Sequence, residues 1–153
     1  MKNLICTSCF ILATLFILAG VSSCKKSSTV TPTPAPYVKG EGQFSVAGVN
    51  FTADSAFSVA NSNAIRIYQN FSSPTDNKLI SIVLTGLSVG NYNISATGPN
   101  TLIYTFGTTA QATAQSGIVS ITSNTGSRIA GTFNVQLNGP QTIQGSFSDV
   151  GIR

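Results

Sequence analysis

The sequence predicts an all-β fold, an antiparallel meander of about nine or ten short strands that forms a sandwich or a closed barrel. Beyond Gly40, apolar and polar residues alternate with a period of two, and the apolar positions are rich in β-branched and aromatic residues. Gly, Asn and Pro interrupt this alternation at short intervals. No window has a sustained helical period. The stretch from Ala110 to Ser116 could hold a helix, but its threonine and the flanking glycines favour a solvated strand.

Residues 1–23 have the layout of a lipoprotein signal peptide. Lys2 precedes an uncharged run from Leu4 to Gly20, and Val21-Ser22-Ser23-Cys24 then has the branched apolar, small, small, Cys order of a lipidation site. We therefore expect cleavage before Cys24 and fatty acylation of Cys24, which would hold the chain at a membrane. The alternative is an uncleaved membrane helix, because the apolar stretch approaches the roughly 20 residues that span a bilayer. A polar boundary at a cysteine favours the signal peptide.

The cysteine count fits an anchor rather than a disulfide. Cys6 and Cys9 lie inside the predicted signal, so Cys24 has no cysteine partner in the mature chain. The C-x-x-C spacing of Cys6 and Cys9 also occurs in redox and metal motifs. Inside a signal segment we assign it no function.

Residues 24–38 are predicted to form a linker, and residues 39–153 a single all-β domain. From Ser27 to Pro36 the chain has prolines at alternate positions and no apolar periodicity, so this stretch cannot pack a core. Alternating prolines favour polyproline II, which extends about 3.1 Å per residue. The linker is either a spacer that holds the domain away from a bilayer or an unselected tail.

Alternation within the domain predicts which side chains point inward and where the turns lie. Turn residues occur at 61–63, 73–77, 98–100, 124–126 and 138–140. Because most inward residues are bulky, we expect a core filled by side chains rather than a ligand cavity. The predicted inward residues are Phe44, Val46, Val49, Phe51, Phe57, Val59, Ile65, Ile67, Ile80, Ile82, Leu84, Tyr92, Ile94, Tyr104, Phe106, Val119, Ile121, Phe133, Val135, Leu137, Ile143, Gly145 and Phe147.

Five segments of the domain carry a family resemblance. Residues 42–53 read as a strand, a turn and an aromatic-x-Ala step, and 87–92 read L-x-x-G-x-Y. Residues 117–122, 129–133 and 143–150 read as three closing strands in which glycine precedes an aromatic residue. In these segments the chain resembles small lipoproteins of Bacteroidota that have a single β-rich domain of unknown function. The resemblance implies the fold and an envelope location, and it supplies no catalytic residue.

The opening hairpin departs from the family pattern, and the residues after Cys24 bear on the membrane face to which the protein is attached. The opening turn, at Gly48-Val49-Asn50, lacks the usual Asn-Gly pair, and Phe51 stands where tryptophan is frequent. Many surface-exposed members carry acidic residues after the lipidated cysteine, whereas this chain has Lys25 and Lys26. The resemblance therefore implies attachment to the outer membrane on its periplasmic face rather than display outside the cell.

Residue types exclude the common catalytic centres. The chain has no His, so a triad with a histidine base cannot form, and a zinc site would need carboxylates alone. Serine–lysine chemistry would depend on Lys39 or Lys78, which both lie in predicted loops. We expect no catalytic residue, no metal site and no cofactor.

The four acidic residues leave one enzymatic alternative open, a carboxylate-dependent hydrolase. All four lie at strand ends or turns, where acids usually cap backbone amides. The D-x-[DN]-x-[DN]-G spacing of a calcium loop does not occur around any of them. They are Glu41, Asp54, Asp76 and Asp149.

Two aromatic residues form the candidate binding surface. Tyr68 follows the inward Ile67 and should point outward, and Phe71 lies in a polar loop. An outward ring can stack on a sugar or anchor a protein partner, although cross-strand pairing also explains it. The basic residues are scattered, so no nucleic-acid face is predicted.

Together these features predict a membrane-anchored cell-envelope lipoprotein that is not an enzyme and that binds an envelope protein or glycan. A small β-barrel carrier of an apolar ligand is the alternative.

Overall fold

A computed structural model describes residues 39–59, 61–108 and 110–152. Within these ranges the chain forms ten strands and no helix, which confirms the all-β prediction. The stretch from Ala110 to Ser116 is a strand, as expected. The strands are β1 (Glu41–Val46), β2 (Val49–Thr52), β3 (Ser55–Ser58), β4 (Ala64–Gln69), β5 (Lys78–Val83), β6 (Gly90–Ser95), β7 (Thr101–Phe106), β8 (Ala110–Asn124), β9 (Arg128–Leu137) and β10 (Thr142–Gly151).

The ten strands form one curled antiparallel sheet. Its order is β2-β1-β10-β9-β8-β7-β5-β4-β3, with β6 paired to β8 outside this path. Gly40, just before β1, and Ala56 of β3 exchange two backbone hydrogen bonds of 3.0 Å. This bridge joins the start of β1, next to one end of the strand order, to β3 at the other end, and it satisfies backbone groups that an open edge would leave unpaired.

Strand β8 departs from a simple meander. It has 15 residues, more than the short strands expected from the sequence. Its first residues, up to Thr113, pair with β7, and residues from Ser116 to Ile121 pair with β6. Its other edge pairs with β9, with a register shift between Ala114 and Ser116. Because such a shift bends a strand locally, β8 can belong to both halves of the sheet.

We call β3, β4, β5, β7 and the first residues of β8 half A, and β1, β2, β6, β9, β10 and the rest of β8 half B. Their inward faces share one buried apolar cluster. Fully burying a side chain of this kind stabilises the fold by about 1.5–3 kcal/mol. Half A contributes Ile65, Ile67, Ile80, Ile82 and Leu102, and half B contributes Phe44, Val119, Ile121, Phe133, Val135, Ile143 and Phe147.

Two glycines make room for the phenyl rings of half B. Gly131 is paired with Phe147, and Gly145 with Phe133. A Cβ at Gly131 would lie 2.5 Å from Phe147 Cζ, and a Cβ at Gly145 would lie 2.6 Å from Phe133 Cζ. The glycine that precedes an aromatic residue in β9 and β10 is therefore a packing requirement, because each ring covers the glycine on the neighbouring strand.

Three of the inward predictions are wrong. Phe57 lies on the outward face, because Ala56 and Ser58 are the buried residues of β3. Val49 and Phe106 are 57% and 42% exposed. Both line a recess at one end of the sheet that is open to solvent, so no opposing strand covers them.

The opening turn also differs from the expectation. β1 and β2 are joined by Ala47-Gly48 rather than by 48–50, since Val46 pairs directly with Val49. Ala47 and Gly48 have φ angles of 49° and 83°. Positive φ at both central residues is the signature of a type I′ hairpin turn, which alanine adopts at a cost in free energy.

Candidate functional site

Three aromatic rings lie together on the outward side of half A, and we call them the aromatic cluster. The rings of Phe57 and Tyr68 are stacked, with centroids 5.5 Å apart and planes inclined by 13°. Phe71 meets Tyr68 edge-on, with centroids 4.9 Å apart and planes at 90°. Phe71 is 67% exposed, the highest value among the large apolar residues that the structure describes.

The register of β3 and β4 creates the stacked pair. Phe57 pairs with Arg66, and Tyr68 pairs with Ser55. The two rings are therefore diagonal neighbours on one face, within reach of each other for side chains of this length. Arg66 is exposed beside them on the same face, so the cluster combines apolar rings with one cation.

The loop after β4 is fixed by a carboxylate that lies just before β3. Asp54 Oδ2 accepts hydrogen bonds from the backbone amides of Asn70, at 2.5 Å, and Phe71, at 3.3 Å. Asn70 has a φ of 59°, a conformation that asparagine adopts more readily than most residues. Phe71 thus projects from a loop that is held before any partner arrives, which lowers the ordering cost of binding.

A polar network continues from this loop to β5. Asn70 Nδ2 donates to Asp76 Oδ2 at 3.0 Å, and Lys78 Nζ donates to Asp76 Oδ1 at 2.8 Å and to Gln69 Oε1 at 3.1 Å. The hydrogen bond from Lys78 and, secondly, that from Asn70 hold the pKa of Asp76 below its usual value. Asp76 is therefore ionised at neutral pH and serves as the counter-ion of Lys78.

Lys78 connects the network with a recess between the two halves. Its side chain is only 8% exposed, and Nζ lies 4.7 Å from the ring centroid of Phe51 and 5.2 Å from that of Phe106. Rings at these distances stabilise a cation through their electron-rich faces. The recess has a volume of about 440 Å³ and is lined by Val46, Val49, Phe51, Lys78, Tyr104 and Phe106 among others.

Burial, followed by the charge of Asp76, raises the pKa of Tyr104.

Three of the four acids make structural contacts. Asp54 caps two backbone amides, and Asp76 pairs with Lys78. Asp149 pairs with Arg128 at 2.7 Å, and Glu41 is exposed on β1. Among the described residues, no three His, Cys, Asp or Glu side chains come close enough to hold a metal ion. In the part of the chain that the structure describes, the Lys78 ammonium donates to Gln69 and Asp76 and to no serine.

The structure brings the two predicted surface residues, Tyr68 and Phe71, into direct contact. It adds Phe57, which the sequence analysis placed inward, and Lys78, which it placed in a loop rather than at the start of β5. A four-residue strand has too few alternations to fix its inward face, so no sequence signal identified Phe57. The predicted lipidation residues, Val21, Ser22, Ser23 and Cys24, lie outside the described residues, as do the signal segment and the linker.

The chain matches no family model, no curated protein and no solved structure. The family resemblance remains an expectation. In the part of the chain that the structure describes, no helix is both long and apolar enough to cross a membrane.

Proposed function

We propose that this protein is a non-catalytic binding module of the cell envelope, held at the outer membrane by acylated Cys24, and that the aromatic cluster contacts an envelope protein or a glycan. The observation that carries the proposal is the placement of Phe71. This apolar ring is two-thirds exposed on a loop that Asp54 fixes in position. A ring that contributes little to the core and is held toward solvent is suited to recognition.

The composition of the cluster supports a recognition role. Tyrosine and arginine are enriched among the residues that dominate binding energy at protein interfaces, and Tyr68 and Arg66 lie on the same outward face. Aromatic faces also stack on sugar rings. One exposed arginine does not make a basic face, so nucleic acid is not the proposed partner.

Site-specific photocrosslinking in intact cells tests this surface. A photoreactive phenylalanine analogue replaces Phe71 in one strain and Val89 in a control strain, because Val89 is exposed to a similar degree, 63%, outside the cluster. We expect a discrete adduct at position 71 and none at position 89, with a lower yield when Tyr68→Ala is added. Protease or glycosidase treatment of the adduct identifies a protein or a glycan. Equal labelling at both positions, or none at 71, would contradict the proposal.

The anchor is tested separately through Cys24. Intact-mass analysis of the protein from a host with lipoprotein-processing enzymes should show loss of residues 1–23 and the added mass of acyl chains. Cys24→Ser should abolish both, because serine lacks the thiol that is acylated. An unprocessed chain, or a processed chain with a free thiol, would overturn the anchor. Resistance of the domain to protease added to intact cells would support the periplasmic face, and digestion would assign it to the cell surface.

The recess supports a second candidate function, carriage of an apolar ligand. It is lined mainly by apolar side chains and is within the roughly 300–1,000 Å³ range of small-molecule sites. Phe106 and Val49 stand exposed at this recess. A neutral apolar fluorophore, N-phenyl-1-naphthylamine, should bind the wild type, and Phe106→Ser should weaken its binding while Val89→Ser does not. Equal binding by both variants would remove the carrier function.

A further inference from the structure

The outward face of half B carries a second surface whose chemistry differs from that of the aromatic cluster. Ten outward side chains from five adjacent strands line a trough of about 740 Å³ there. They form two rows of directly paired positions that cross the strands. One row is Thr52, Gln43, Ser146, Thr132 and Ser120, and the other is Asn50, Ser45, Gln144, Asn134 and Ile118.

The lining of this trough is uncharged and rich in hydrogen-bonding groups. Nine of the ten outward side chains are Ser, Thr, Asn or Gln, and the exception is Ile118. Strands in a sheet lie about 4.7–4.9 Å apart, so five strands place each row over roughly 19 Å. The trough is therefore an extended array of hydrogen-bond donors and acceptors. Its lining contains no charged side chain that could form an ion pair with a charged ligand.

Most of these polar groups are not used by the fold. Ser120 Oγ donates to Asn91 Oδ1 at 2.7 Å. Within the described residues, the side chains of the other eight make no hydrogen bond to a protein group, and all of them except Ser45, which is 8% exposed, lie at exposed positions. Other outward amides behave differently: Asn100 and Asn124 both bond to backbone atoms. Replacing hydrogen bonds to water with well-placed hydrogen bonds to a ligand is favourable. The hydroxyl and amide groups of the trough other than that of Ser120 can make this exchange because they have no protein partner among the described residues.

We infer that this trough binds an uncharged polyhydroxylated chain, that is, a neutral glycan strand laid across β2, β1, β10, β9 and β8. Hydroxyl groups along such a chain are both donors and acceptors, which matches the paired amides and hydroxyls. Ile118, 44% exposed at one end of its row, offers an apolar contact for the carbon face of a sugar. An anionic polymer would find no cation in the trough, and an apolar ligand would leave its amides unpaired. This inference is independent of the aromatic cluster, which lies on the opposite half.

Binding of the purified full-length chain to immobilised polysaccharides tests the inference. The probes are four neutral polysaccharides, dextran, laminarin, mannan and xylan, with the polyanion heparin for comparison. We expect at least one neutral probe to bind and its affinity to change little in about 0.5 M sodium chloride, since no ion pair is involved. The double variant Asn134→Ala/Gln144→Ala should weaken binding by about tenfold or more. The control variant Thr85→Ala/Thr122→Ala, which alters exposed threonines outside the trough, should bind like the wild type.

Two further variants separate folding from binding and this surface from the aromatic cluster. Thr132→Glu places a charge within the trough at an exposed position on β9, so it should keep the melting temperature and lose binding. Phe71→Ala should leave binding unchanged, and loss of binding in that variant would instead assign the glycan to the aromatic cluster. The inference is overturned if no neutral probe binds, if only heparin binds, if the trough variants bind like the wild type, or if ultracentrifugation shows a dimer that Thr132→Glu dissociates.

Discussion

Half B places phenylalanine rings at the centre of its inward face, whereas half A places a stacked aromatic pair on its outward face. In half B, Phe44, Phe133 and Phe147 point inward and are almost fully buried. In half A, isoleucines fill the central inward positions, and Phe57 and Tyr68 stack on the outward face. A similar ring is thus part of the core on one side and part of the solvent-facing surface on the other.

The residue opposite each ring suits the face on which that ring lies. Half B offers a glycine on the neighbouring strand, and the ring of Phe133 or Phe147 lies over that open backbone. In half A, Phe57 is paired with Arg66. The charged Arg66 side chain is exposed to solvent, so this part of the outward face is not covered. The outward faces follow the same division. Half A offers rings and a cation, whereas half B offers uncharged amides and hydroxyls, so the two surfaces suit ligands of different chemistry.

Removing one ring from each half should give the largest contrast. Phe133→Ala is expected to lower the free energy of unfolding by about 3–5 kcal/mol, because it leaves a cavity in the core. Phe71→Ala should change it by no more than about 0.5 kcal/mol, because the ring is mainly exposed. Chemical denaturation followed by far-UV circular dichroism measures both. Similar losses for the two variants would mean that the aromatic cluster is a structural element and not a binding surface.

Adding a side chain at a glycine of half B should have the next largest effect on stability. Gly131→Ala forces a methyl group against the backbone oxygen of Ser120 and the Phe147 ring, and it is expected to cost about 1–3 kcal/mol of unfolding free energy. Gly86→Ala is the matched control, since its nearest contact would be the Tyr92 hydroxyl at 3.7 Å. Thermal denaturation of both variants tests the role of the glycine. A Gly131→Ala protein as stable as the control would contradict the close packing of the Phe147 ring and the β8 backbone against Gly131.

The two hairpins that open the halves should respond in opposite directions to exchange of alanine and asparagine. Ala47 in half B and Asn61 in half A both have positive φ, 49° and 55°. Ala47→Asn should raise the free energy of unfolding and Asn61→Ala should lower it, each by about 1 kcal/mol, because asparagine tolerates this conformation better. Denaturant midpoints provide the measurement. Changes of the same sign in both variants would contradict the backbone explanation.

Low pH should reduce the stability of the fold through Asp76 in half A, and this effect should be smaller than those of the substitutions above. The pKa of Asp76 is lowered in the folded state by Lys78 and Asn70. Its stabilising contribution is therefore fully present above the unfolded pKa of about 3.9 and is lost as the pH falls through the lower folded value. The melting temperature of the wild type should drop more steeply below about pH 4 than that of Asp76→Asn. Parallel pH profiles for the two proteins would show that this ion pair contributes nothing to the acid response.

Much of the fold is predictable because its signals are local. Alternation identified the buried residues of the longer strands, such as Ile80 and Ile82 or Phe133 and Val135. The predicted turn ranges include the positive-φ residues Asn61, Gly126 and Gly139 but miss others, such as Asn70 and Gly107. Prediction failed in the short strand β3 and at sheet ends, as for Val49, because exposure there depends on which strand lies opposite rather than on the sequence nearby.

The candidate surfaces were less predictable for the same reason. Tyr68 and Phe71 could be proposed from alternation and from a polar loop, and their direct contact agrees with that choice. The stacking with Phe57 depends on the register of β3 against β4. The sequence of a single strand could not predict the trough of half B, because each of the five strands contributes only two of its outward side chains.

By itself the sequence determined an all-β chain with its principal turns and most of its core, because a period of two and turn chemistry act over a few residues. Tertiary structure alone decided which strands became neighbours, how β8 serves both halves, and which outward residues came together as a cluster or a trough. The physical reason is that cross-strand pairs join residues far apart in the chain, as in Gly40 with Ala56 or Asn91 with Ser120. Local preferences set the face of a strand, and the register between strands sets what that face offers to a partner.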